Sequence, residues 1–347
     1  MPHIPIVVLT GFLGSGKTSL LNALLKDPAF KDSAVVVNEF GEIGLDHLLV
    51  ASAKDNIILL DAGCLCCTML DSLKETLIDL YYRRVKGQVP EFARILIETT
   101  GLADPAPILQ TITRDPVVSH FYRLQGLICT VDALFGGDQL KEHAEAGVQI
   151  ALADRLIVTK TDLTGGACPA ELRAKLQSLN PLAGIHIAVH GNTSINSLLA
   201  LDHKARNTPP WLGDIYEPEN SHHHTHAGPH DDAIGSESFW LDRPVTWSGI
   251  AAWTEWMKGQ FGREVLRCKC MINVADSSGP VVVHGVRGLF TTERLPVWPD
   301  AERRSRLVII GRGLDRKRLT AGLGWLYVAE GTQPPNPTDE PPAIAAQ

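Results

Sequence analysis

Eight residues near the start of the chain, Gly11-Phe12-Leu13-Gly14-Ser15-Gly16-Lys17-Thr18, follow the pattern G-x-x-x-x-G-K-[ST] and narrow what its first half can become. The apolar run Ile4–Thr10 precedes them and a helical run, Ser19–Leu25, follows. Strand, glycine-rich loop and helix in that order turn backbone N–H groups toward a phosphate, and the helix N-terminus adds a favourable dipole. Gly11, Gly14 and Gly16 supply the backbone freedom that such a loop needs. Lys17 would neutralise β/γ-phosphate charge and the Thr18 hydroxyl would ligate Mg²⁺. The loop therefore reads as a nucleotide site with contacts from Gly11, Gly14, Ser15, Gly16, Lys17, Thr18 and Ser19.

Further strand-like runs follow at Ala34–Asn38, Ile57–Leu60, Arg94–Glu98, Gly126–Val131, Leu156–Thr159 and Ile185–Val189. Helical patterns separate them, as in Met69–Tyr81, where Met69, Leu70, Leu73, Leu77 and Leu80 recur on one face. This alternation predicts a mostly parallel sheet flanked by helices, an α/β fold, over residues 1–200. Residues 201–238 turn polar and His-rich and read as a linker. Strands are expected again at Phe239–Asp242, Val265–Val274, Pro280–Phe290 and Leu307–Gly311, with a helix carrying Trp247, Ile250, Trp253, Trp256 and Met257. A small α+β domain over 239–330 and a disordered, proline-rich tail over 331–347 complete the expectation. A length of 347 residues suits two domains better than one.

The net charge of −7 supplies no basic field for nucleic acid. No run is long and apolar enough for a membrane span, and the start lacks the basic segment of a secretory signal. Neither nucleic acid nor membrane is expected as a partner, and the expected location is the cytoplasm.

Three further segments suit a nucleotide. Asn38-Glu39-Phe40-Gly41-Glu42-Ile43-Gly44-Leu45-Asp46 places three carboxylates after the second strand, and its glycines permit a switch. Arg94–Glu98 is an apolar strand ending in an acid, with Gly101 three residues on. Glu98 would hold a Mg²⁺-bound water and the Gly101 amide would bond the γ-phosphate. In Thr159-Lys160-Thr161-Asp162, Asp162 would accept from the paired N–H donors of guanine while the Lys160 stem lies along the ring. GTPases usually begin this motif with Asn, and Thr159 stands there instead. Lys17, Thr18 and Glu98 form the expected catalytic set.

Cys64, Cys66 and Cys67 crowd into Gly63-Cys64-Leu65-Cys66-Cys67, just before a helix. Thiolates there suit Zn²⁺ or a similar cation, with a carboxylate such as Glu42 as a fourth ligand or the fourth position left open; a redox pair or buried packing are the alternatives. His222, His223, His224 and His226 offer weaker imidazole ligands for Zn, Ni, Co or Cu. Cys268 and Cys270 share one face of a strand and read as packing, as does Cys129. Arg303, Arg304 and Arg306 read as a solvated rim, and His47, His120, His143 and His284 carry no assigned role.

Taken in order, GFLGSGKT, NEFGEIGLD, GCLCC, ETTGLADP and TKTD resemble the CobW family of metal-chaperone GTPases, related to those that serve nickel insertion into hydrogenase and urease. The segments Leu266–Val274, Val283–Val286 and Leu307–Arg312 look like its C-terminal domain. The resemblance implies GTP and Mg²⁺ as cofactors, with Zn²⁺, Co²⁺ or Ni²⁺ on Cys64, Cys66 and Cys67. It implies slow GTP hydrolysis coupled to delivery of the metal to a client protein, with a homodimer as a further partner. The rival readings are a P-loop kinase or ATPase with structural cysteines, and a metal store without useful turnover.

Overall fold

The computed structural model describes residues 3–38, 69–189, 233–336 and 338–343, which fall into two compact units. In the first, strands β1 (Ile4–Gly11), β2 (Ser33–Asn38), β3 (Arg94–Thr99), β4 (Tyr122–Asp132), β5 (Arg155–Thr159) and β6 (Gly184–Ile187) form a sheet ordered β2-β3-β1-β4-β5-β6. Every pairing in it is parallel. Its helices are α1 (Lys17–Lys26), α2 (Met69–Val85), α3 (Ala106–Arg114), α4 (Val118–Phe121), α5 (Gly136–Glu142), α6 (Ala144–Leu152) and α7 (Ala170–Leu179). Parallel strands covered on both faces need near-continuous apolar runs, and β1, β3 and β4 are buried along almost their whole length. The fold class expected from the alternating pattern is the one observed.

The strand order decides where chemistry belongs. From central β1 the chain builds outward to β3 and β2 on one side, then to β4, β5 and β6 on the other. Loops at the carboxyl ends of β1, β3, β4 and β5 therefore gather around one crevice, the usual ligand position in such sheets.

The second unit holds β7 (Ile234–Leu241), β8 (Val265–Ile272), β9 (Val281–Val286), β10 (Leu289–Arg294) and β11 (Ser305–Arg312). These strands form an antiparallel sheet ordered β10-β9-β8-β11-β7, accompanied by α8 (Trp247–Phe261) and α9 (Arg316–Gly322). Trp253, Trp256, Met257 and Phe261 of α8 fill its core with Cys268, Cys270 and Ile309 of the sheet. The Thr246 hydroxyl accepts from Gly249 N at 2.8 Å and caps α8. Glu330 also bonds the amides of Trp247 and Ser248 at that helix start, which hold its carboxyl below the usual range.

Several details depart from the sequence expectation. β7 opens at Ile234, inside the stretch read as linker. The run Pro280–Phe290 is not one strand, because Arg287 and Gly288 take positive φ values of 50° and 71° and turn the chain into the β9–β10 hairpin. Arg306 is not part of a solvated rim: it is 3% exposed, and its guanidinium bonds both Asp300 carboxylate oxygens at 2.8 and 3.0 Å. Arg303 and Arg304 do lie at the surface. The tail forms no helix or strand among its described residues, yet the Pro342 carbonyl lies close against Gly324. The expected strand Ile57–Leu60 and most of the His-rich stretch lie outside the described residues. Among the described residues no helix is long and apolar enough to cross a membrane.

Gly322 ends α9, and a Cβ there would overlap the Trp256 indole. Gly322→Ala is expected to destabilise the protein by about 1–3 kcal/mol through overpacking. Tryptophan fluorescence during urea unfolding reads this region, since all seven tryptophans lie at residue 211 or later. An unchanged midpoint would show that Trp256 has room to move.

Candidate nucleotide site

The loop after β1 is built around three glycines with positive φ: Gly11 at 144°, Gly14 at 70° and Gly16 at 90°. A Cβ on Gly11 would overlap Thr130 Oγ1 on the neighbouring strand β4, so the loop leaves β1 where no side chain fits. Gly16 stands in the left-handed region immediately before α1. Lys17 opens that helix and bends back, its Nζ donating to Gly11 O at 2.9 Å and Phe12 O at 3.2 Å. With 9% of its surface exposed, the ammonium is held inside the loop that it would share with phosphate. Ser19 is exposed one residue beyond Thr18.

Hydroxyl groups fasten this loop to the sheet. Ser15 Oγ and Thr130 Oγ1 share a hydrogen bond of 2.7 Å, and Thr159 Oγ1 donates to Ser15 O at 2.7 Å. Thr99 Oγ1 donates to Thr10 Oγ1 at 2.9 Å. The first two bonds tie Ser15 of the loop to β4 and β5, the third joins β3 to β1, and within the loop Ser15 N donates to Phe12 O at 3.1 Å.

Thr18, in the first turn of α1, and Glu98, near the end of β3, are brought together. Thr18 Oγ1 donates to Glu98 Oε1 at 2.8 Å, and Glu98 is 6% exposed at the end of β3, paired in register with Leu9. A hydroxyl and a carboxylate are hard oxygen ligands, the donor type that Mg²⁺ takes beside a phosphate. Gly101 lies against the same loop: a Cβ on it would stand 2.7 Å from Leu13 N. Absence of a side chain thus permits the close approach of the β3–α3 turn to the phosphate loop.

Lys160 sits at the end of β5 with a positive φ of 56°, which a lysine adopts only when something holds it. Its Nζ meets Asp132 Oδ2 at 2.6 Å, while Asp132 Oδ1 accepts from the amides of Leu134 and Phe135. Asp162 is exposed in the short 3₁₀ turn Thr161–Thr164 that follows.

Cys64, Cys66, Cys67, Glu42, the loop from Glu39 to Asp46, and His222, His223, His224 and His226 lie outside the described residues. Among the described residues no group of three or more His, Cys, Asp or Glu side chains stands ready for a metal. Cys129 is packed within β4, where burial pushes its thiol up to about 12 against the pull of the Lys17 ammonium. Cys268 and Cys270 lie 3.2 Å apart, sulfur to sulfur, in the second core.

Two family profiles match the chain: CobW/HypB/UreG, nucleotide-binding domain, over residues 5–186, and Cobalamin synthesis protein cobW C-terminal domain, over residues 234–325. The chain belongs to the CobW/HypB/UreG family. It is 31% identical over 331 residues to the zinc chaperone YjiA of Escherichia coli (strain K12), which covers 94% of this chain and 99% of that relative. It is 29% identical over 348 residues to zinc-regulated GTPase metalloprotein activator 1 of Schizosaccharomyces pombe, covering 90% and 83%. The crystal structure of Zn(II)-bound YjiA GTPase from E. coli aligns with a TM-score of 0.71 at 28% identity, over 94% of this chain and 100% of the other.

Within this CobW-family site, sequence reasoning passed over Thr130 and Asp132. Asp132 carries the signal that singled out Glu98, an acid at the end of an apolar strand. In sequence Thr159 stands out only as a departure from Asn; in the structure its hydroxyl ties the Lys160–Asp162 turn to the phosphate loop. Thr159→Val removes that tie while keeping shape, and is expected to weaken GDP and GTP alike by roughly three- to tenfold. Calorimetric titration checks this, with Thr159→Ser restoring affinity; unchanged binding by Thr159→Val would show that the loop holds its shape unaided.

Proposed function

We propose that this CobW-family protein hydrolyses GTP and couples its nucleotide state to binding zinc and delivering it to a client protein. The observation that carries the nucleotide half is the Thr18–Glu98 bond behind the Lys17-bearing loop. Its residues fit the hard-oxygen chemistry of Mg²⁺, which, when bound with the nucleotide, neutralises charge on the phosphates. Water attacks the γ-phosphorus and gives up a proton to the phosphate product, the bond to the β–γ bridging oxygen breaks, and its electron pair leaves with GDP. The Lys17 ammonium offsets charge gathering on the phosphate oxygens, and the Gly101 amide binds one of them. Asp162 selects guanine by accepting from its N–H pair, and Lys160, steadied by Asp132, lies along the ring.

The zinc half is supported by full-length similarity to a zinc chaperone, together with the thiol set Cys64, Cys66 and Cys67. In sequence those thiols fall between the Glu39–Asp46 loop and the Glu98–Gly101 turn, both read as nucleotide-sensing. Coupling is reciprocal: if GTP changes zinc affinity by some factor, zinc changes GTP affinity by the same factor.

GTP and ATP turnover, measured with and without Zn²⁺, tests the reading. GTP-selective hydrolysis that responds to Zn²⁺ is expected, with the response lost when Cys64, Cys66 and Cys67 are all replaced by Ser. ATP preference, or turnover blind to zinc and cysteines, would instead support a kinase or ATPase with structural cysteines. Asp162→Asn is expected to cost about a hundredfold in GTP affinity, because an amide replaces a charged double acceptor. Xanthine nucleotide, whose base presents a carbonyl where guanine has an amino group, should bind the variant better than GTP does.

A further inference from the structure

Helix α6 is buried from Ala146 to Leu152, and among its apolar side chains stands one amide, Gln149, with none of its surface exposed. An amide in such a place persists only where its hydrogen bonds are needed. Gln149 Nε2 donates to Gly101 O and to Ala103 O, both at 3.0 Å. Those carbonyls belong to one tight turn, closed by Ala103 N donating to Thr100 O at 3.2 Å. Gln149 Oε1 has no hydrogen-bond partner among the described residues. The position therefore uses the donors of the amide. At the start of the same helix the His143 ring stacks on Phe12, with centroids 4.5 Å apart and an interplanar angle of 23°. One helix thus touches the phosphate loop at its beginning and the β3–α3 turn further along.

We propose that Gln149 is a positioning residue that sets where the Gly101 N–H stands for a γ-phosphate. The inference rests on the guanine-nucleotide reading above. On its N-terminal side Gly101 follows β3, which is registered against β1 through Leu9 and Glu98. On its C-terminal side the turn is gripped by Gln149. Between these anchors Gly101 is pressed against the phosphate loop at Leu13, so its amide is ordered before ligand arrives. Preorganised donors bind developing or fixed charge without the cost of ordering them on contact. GDP has no γ-phosphate and does not draw on this amide, so Gln149 acts on the difference between the two nucleotides.

The experiment measures Kd for GDP and for GTPγS with the full chain and its Gln149→Met and Gln149→Glu variants. Met keeps the length of the side chain without donors; Glu keeps the shape and offers acceptors to two carbonyls. Both variants are expected to weaken GTPγS about tenfold while GDP stays within about twofold, the scale of one or two neutral hydrogen bonds. Equal loss for both nucleotides would mark Gln149 as packing alone and overturn the proposal, as would an unchanged or GTPγS-favouring ratio. Wild-type protein that binds neither nucleotide would bring down the guanine reading itself, a distinct failure. Hydrogen exchange on the wild type gives a second check should the variants fold poorly. On replacing GDP with GTPγS, amides at 101–103 and in α6 should slow together; slowing in the turn with α6 unchanged would overturn the proposal.

Discussion

The N-terminal unit depends on satisfying the carbonyls of the phosphate loop from the Lys17 ammonium and from a hydroxyl on a neighbouring strand. A loop of this kind has few internal hydrogen bonds, so it must be held from outside. The holding groups are small hydroxyls at strand ends, Thr130 and Thr159, together with the Lys17 ammonium, which bonds two loop carbonyls. Gly11 makes the arrangement feasible, because any Cβ there would occupy the space of the Thr130 hydroxyl. Loop, β4 and β5 are consequently fitted to one another at the sheet's centre.

Around that loop the parallel sheet brings acids and glycines from distant segments to one edge. Glu98 reaches Thr18, Gly101 lies on Leu13, and Asp132 holds Lys160 in a left-handed conformation. The two strand-end acids do different work. Glu98 accepts from the Thr18 hydroxyl, whereas Asp132 is taken up by a lysine and two amides of its own turn. Helix α6 adds a further layer by bonding the turn that contains Gly101.

Much of this was legible along the chain because the controlling physics is local. Glycines at fixed offsets, a lysine and a threonine after them, and a strand before them suffice to identify the phosphate loop. Glu98 and Gly101 were legible as the polar end of an apolar strand. Gln149 was not, since within a helical pattern a lone amide looks like any surface residue. Arg306 is hidden for a related reason: three arginines in four residues resemble a rim, and only the placement of Asp300 turns one of them inward. The β9–β10 hairpin is hard to see in sequence because its turn is only two residues, Arg287 and Gly288, set between apolar runs, and the first of them is not a residue type that favours positive φ.

What the amino-acid order determined by itself was therefore the alternation of strands and helices, the phosphate loop and the residue types offered to a nucleotide. Those features follow from backbone freedom and side-chain periodicity over a few residues. The tertiary structure alone decided the partners: Thr159 with Ser15, Asp132 with Lys160, Gln149 with Gly101 and Ala103. Such pairs span separate elements, and their formation depends on strand order and register, which bring together groups whose separation along the chain carries no trace of the contact.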